Sequence, residues 1–209
     1  MNYDIKIITK QENTPTFWYG GMSAELTTYP PSSSFAKRDF LWRLGFAKID
    51  IPESNFSALP GVSRHLMVTN GKMTIEHVGQ YTKTLSELEV DNFIGDFETK
   101  THGICSVFNL MTRENYKGSL FPLIINHKSS HELSHSISYN EEIVSVCLYP
   151  LAGSFKIIIN NHSFAIHTGD LLRIDCMESD SSVKFNLVNE SYEHCKIIVS
   201  IISVSYTHL

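Results

Sequence analysis

Three arginines and one asparagine occupy positions where a polar side chain needs a reason. Arg43 lies in FLWRLGFAKI (40–49), Arg64 in FSALPGVSRHLMV (56–68), and Asn109 with Arg113 in GDFETKTHGICSVFNLMTR (95–113). These runs otherwise alternate like strands. A guanidinium or amide on the inward face of a β-structure is costly unless a ligand, a partner or an internal network satisfies it. A guanidinium offers a planar fork of donors suited to a carboxylate, and an amide offers both a donor and an acceptor.

Neighbouring strand residues point to opposite faces, so Trp42 and Arg43 diverge, and a Trp42 packed between sheet and loop sends Arg43 into a pocket. The alternative is a surface arginine paired with Asp50 or Glu53. Arg64 follows the Pro60-Gly61 turn, where it either receives a carboxylate or anchors the loop through backbone carbonyls. Asn109 shares a strand face with Val107 and Met111, opposite Phe108 and Leu110, and reads as a ligand contact or as a core amide that sets register. Arg113 reads as lying on that face at the rim or as a solvated loop arginine. Ser57 can donate to a ligand oxygen or to its own turn. The candidate binding set is therefore Arg43, Arg64, Asn109, Arg113, Ser57, Trp42 and Met111, with no catalytic residue.

Other constellations argue against themselves. His127, His131 and His135 are spaced four apart, which on a strand is roughly 13 Å and too far to share an ion. A metal signature of H-x-H with a following Glu and a distant His is missing from both halves, since four residues separate His162 from His167, and no metal or other cofactor is expected. Cys105, Cys147, Cys176 and Cys195 form no CxxC pair and read as buried reduced thiols. No G-x-S-x-G elbow supports a serine nucleophile.

The elements that must position these side chains are strands. Stretches rich in Val, Ile, Phe, Tyr and Thr recur between Gly, Pro, Asn and Asp, at 40–49, 65–69, 72–77, 83–87, 104–111, 117–125 and 131–139. Further stretches fall at 143–148, 153–159, 162–167, 171–174, 183–188 and 195–204. Residues 16–21 read as a turn into a strand at 23–29, and 29–36, with its prolines and serines, as a loop over a barrel mouth. Punctuation at 115–118 divides the chain, and the Gly-Asp turn of NNHSFAIHTGDLLRID (160–175) has a counterpart at Asn70-Gly71. An all-β protein of two jelly-roll barrels is expected, one at 1–115 and one at 116–204, with 205–209 a candidate non-native tail.

With 209 residues, 42% of them hydrophobic, the chain can bury such cores. Its net charge of -5 gives no basic surface for nucleic acid, and its apolar runs are too short to span a bilayer. A cytoplasmic protein is expected.

The ordered blocks W-x-G-G (Trp18, Gly20, Gly21), W-R (Trp42, Arg43), F-S-x-x-P-G-x-x-R (Phe56, Ser57, Pro60, Gly61, Arg64), F-x-G-D (Phe93, Gly95, Asp96) and F-N-x-M-x-R (Phe108, Asn109, Met111, Arg113) resemble the HutD/Ves family. The likeness is strongest over 17–113, and Val107 and Glu114 depart from the usual pattern. It implies a bicupin of the RmlC-like superfamily with the motifs lining a pocket in the N-terminal barrel. It further implies a bacterial protein tied to histidine utilisation or stress response, binding a small acidic metabolite such as urocanate or formylglutamate. The alternatives are a cupin enzyme (isomerase, lyase or dioxygenase) and a protein-interaction module, and a homodimer is the candidate assembly.

Overall fold

Period-two alternation dominates, and the computed structural model, which describes residues 2–138 and 140–205, turns it into β-sheet almost throughout. Strand β1 (Tyr3–Ile8) comes first, and a short 3-10 turn (Lys10–Glu12) follows it. Then come β2 (Pro15–Trp18), β3 (Gly21–Tyr29), β4 (Trp42–Ile49), β5 (Glu53–Asn55), β6 (Val62–Gly71), β7 (Met73–His77), β8 (Tyr81–Leu85), β9 (Val90–Ile94), β10 (Thr99–His102) and β11 (Cys105–Arg113). The remainder is β12 (Tyr116–Ile125), β13 (Ser129–Ser136), β14 (Glu141–Ala152), β15 (Phe155–Ile159), β16 (His162–Ile166), β17 (Leu171–Asp180), β18 (Ser182–Asn189) and β19 (Cys195–Ser205).

Asn13–Leu120 form one compact unit. A six-stranded sheet, β2-β3-β4-β11-β6-β9, faces a four-stranded one, β5-β10-β7-β8. Leu66, Val68, Ile75, Leu85 and Val107 fill the space between them. The second unit joins the stretch up to Glu12 with the chain from Phe121 onward. Its sheets run β1-β17-β14-β19-β12 and β13-β18-β15-β16, over a core that includes Val146, Ile157, Leu172, Leu187 and Val199. Each unit is a cupin-like jelly roll, and the chain is a duplicated all-β fold.

The division departs from the expected 1–115 and 116–204. Strand β1 pairs antiparallel with β17 from Tyr3↔Cys176 to Ile8↔Leu171, and Tyr3 and Ile5 pack on the second core. Covering β17 removes an open edge, and that partner lies too far along the chain for local pattern to reveal. The expected turn at 16–21 is a hairpin, with β2 paired to β3 around Tyr19-Gly20. Strands β5, β9 and β10 were not anticipated, being only three to five residues long. Strand β13 stops at Ser136 rather than 139, and Tyr139 lies outside the described residues. Ser205 pairs with Glu141 at the end of β19, and 206–209 lie outside the described residues. Among the described residues no helix is long and apolar enough to cross a membrane.

Candidate functional site

The pairing of β3, β4, β11 and β6 builds the site. Arg43 stands opposite Met111, and Met111 opposite Arg64, so both arginines share one row across the sheet. In the adjoining row on the same face, Glu25, Gly45, Asn109 and Leu66 are successive partners. Arg43 runs back along its own strand over Gly45, where an added Cβ would come within 2.6 Å of both terminal guanidinium nitrogens. The missing side chain lets Arg43 Nε donate to Glu25 Oε2 at 2.9 Å. The same oxygen accepts the Phe35 amide at 2.8 Å, and the Phe35 ring lies 4.7 Å from the Arg43 guanidinium carbon. The β3–β4 loop is thereby fastened over the arginine.

Among the described residues no acidic side chain stands against Arg64 as Glu25 does against Arg43. Arg64 is 5% exposed, its Nε has no hydrogen-bond partner, and its guanidinium lies over the Phe56 and Phe93 rings at 4.8 and 5.0 Å. Ring stacking engages the guanidinium face and leaves the N–H edge for an acceptor. Burial, and then the like charge of Arg43, push its pKa down to about 9. Burial also lowers Arg43, against which Glu25 acts in the opposite direction. Asn109, 8% exposed, has an Oδ1 with no hydrogen-bond partner. Both arginines and Asn109 line a cavity of about 390 Å³ whose walls include Phe35, Phe56 and Met111. That volume suits a small molecule. Two cations against one carboxylate leave the cavity short of one negative charge.

The motif glycines and acids hold the walls. Asp96 Oδ2 accepts the Gly61 amide at 3.0 Å, and Gly61 takes a φ of 72° that suits glycine. Leu59 N–H donates to the Gly95 carbonyl at 2.8 Å, and a Cβ on Gly95 would meet the Leu59 carbonyl oxygen at 2.4 Å. Together they tie down the segment that brings Phe56 and Ser57 to the cavity. At Gly20 a Cβ would strike the Trp18 ring, which also lines the cavity.

Of the predicted residues, Arg43, Arg64, Asn109, Met111 and Ser57 converge on the cavity, with Ser57 exposed at its mouth. Trp42 does not. The alternation that turns Arg43 inward sends Trp42 to the other face, where it is buried and stacks on Tyr29 at 6.1 Å. Arg113 is also away from the cavity wall: β11 ends there, and its Nη1 donates to the Arg38 carbonyl at 2.7 Å, which braces the β3–β4 loop.

Glu25, Gly45 and Phe35 were not among the predicted residues, although Gly45 stands two residues from Arg43 on the same face, a spacing that signals close approach. A buried network was not predicted either: His77 Nε2 meets Asp91 Oδ2 at 3.0 Å and His77 Nδ1 meets Thr99 at 2.8 Å. Tyr81 donates to that Asp91, and Phe93 packs on the His77 ring at 4.4 Å. The His127 ring lies 6.0 Å from His194, while His131 and His135 pair with Leu187 and Val183. Among the described residues no three His, Cys, Asp or Glu side chains gather as metal ligands. Burial pushes the thiols of Cys147 and Cys195 up to about 12 and about 11, so both stay protonated.

The family model HutD matches residues 10–192. No curated protein sequence matches the chain. Solved structures do: a conserved protein of unknown function from Pseudomonas aeruginosa shares 17% identity at a TM-score of 0.79, over 95% of this chain and 98% of its own. HutD from Pseudomonas fluorescens, solved in a formate condition, shares 19% at 0.69, over 98% and 100%. Oxalate decarboxylase from Lactobacillus farciminis, as a formate complex, shares 7% at 0.65, over 95% and 88%. At these identities the likeness shows the fold.

Proposed function

Because the chain belongs to the HutD family, we propose that its first barrel binds a small carboxylic acid and so acts as a sensor or governor of histidine breakdown. The observation that carries this reading is Arg64, a buried guanidinium with no acidic partner among the described residues, which lines a ligand-sized cavity together with Arg43. Taking an ion out of water costs several kcal/mol even after relaxation. A ligand carboxylate at the Arg64 edge offsets that cost through charge-assisted hydrogen bonds of N–H to oxygen. Arg43, already held by Glu25, supplies field and a second donor edge. The aromatic walls exclude water and accept the apolar body of the acid.

Urocanate and formylglutamate are the acids the family context favours, and a cytoplasmic location accords with such metabolites. The similarity to a HutD from Pseudomonas fluorescens solved in a formate condition is in keeping with a carboxylate site. A thermal-shift screen against urocanate, formylglutamate, formate and glutamate tests the reading. At a hundredfold excess over Kd, binding to the native state adds about 2.7 kcal/mol, which raises the midpoint visibly. A shift with at least one acid is the expected result. Silence with all four would remove the acid-binding reading.

A further inference from the structure

Asn109 demands something that a bare carboxylate does not provide. The residue is 8% exposed and its Oδ1 has no donor among the described residues. It stands in register between Gly45, over which the Arg43 guanidinium lies, and Leu66 on the strand that bears Arg64. A carboxylate has only acceptors. It can satisfy the arginines and the Asn109 N–H groups, but leaves the amide carbonyl buried and unpaired whichever way the amide is turned.

Resting on the acid-binding reading above, we propose that the cavity selects acids bearing an N–H or O–H donor next to the carboxylate, and that Asn109 Oδ1 is the acceptor that makes this choice. The carboxylate sits at the Arg64 edge and the donor reaches across to the adjoining row, one strand over. Strands are spaced roughly 4.8 Å apart, so carboxylate and donor lie within a few bonds of each other. A flat, unsaturated body between them suits walls built from Phe35 and Phe56. Plain acids fill the arginine end only.

A matched pair isolates the donor. Pyrrole-2-carboxylate and furan-2-carboxylate are five-membered rings of nearly equal shape with the same acid group, differing in a ring N–H against a ring oxygen. Titration calorimetry of the intact protein is expected to show pyrrole-2-carboxylate binding more tightly by about tenfold, since a buried acceptor left unmatched weakens the furan acid. In Asn109→Leu the two acids are expected to bind alike, and circular dichroism of that variant checks its fold. Equal affinities in the parent protein would overturn the donor rule while leaving the acid-binding reading in place. Failure of both acids to bind would overturn this proposal, and the acid-binding reading would fall with it where the screen of urocanate, formylglutamate, formate and glutamate is silent as well.

Discussion

Arg43 and Arg64 stand in one register row, yet Glu25 answers only the first, and this inequality makes Arg64 the point of attack for an anion. Arg64→Met keeps the aliphatic stem and removes an unpaired buried charge. It should raise apo stability by about 1–2 kcal/mol while abolishing stabilisation by carboxylates, as thermal melts with and without ligand would reveal. A merely structural arginine would lower stability on the same substitution. Gly45→Ala puts a Cβ against the Arg43 nitrogens at 2.6 Å, so the guanidinium must leave Glu25. We expect a loss of about 1–3 kcal/mol from overpacking and a weaker acid affinity, measured by denaturation and calorimetry. The inward set of Val107, Asn109 and Met111 was legible in sequence because alternation alone assigns it. Glu25 and Phe35 were not, because a partner on a neighbouring strand or loop depends on register, which no single run encodes.

At the scale of elements, β6 presents Arg64 to the cavity and, one residue later, His65 to the other face. His65 Nδ1 donates to Asn92 Oδ1 on β9 at 2.7 Å, and burial lowers its pKa below 6.5. The unfolded chain therefore takes up a proton more readily than the native one as pH falls past 6.5, and stability declines there. His65→Gln should flatten that acid slope in denaturant titrations run between about pH 6.5 and 5. The neighbouring Asp91 joins β9 to β7 and β8 through His77 and Tyr81. Asp91→Leu strips both of a shared acceptor and should cost about 3 kcal/mol, read from the same titrations. Nothing local announced this network, since its members come from four short strands. Trp42 teaches the complementary lesson: its motif position beside Arg43 suggested a ligand contact, but adjacency on a strand places it on the opposite face.

For the whole molecule, the two jelly rolls were visible in the count and spacing of strand-like runs, and the family likeness rested on motif blocks confined to the first barrel. The allocation of β1 to the second barrel was invisible, because six residues of alternating pattern do not name a partner at the far end of the chain. Deleting residues 2–8 should expose the edge of β17 and speed amide exchange over 171–176. Unchanged exchange there would mean that β1 does not protect that edge. The cavity, by contrast, is built wholly from residues of the Asn13–Leu120 unit. The central claim, that Arg64 is the cation which receives an acid in that cavity, is tested most directly by calorimetric titration of urocanate into the parent protein and into Arg64→Met. Binding by the parent and none by the folded variant is the predicted result; equal affinity in the two would contradict it.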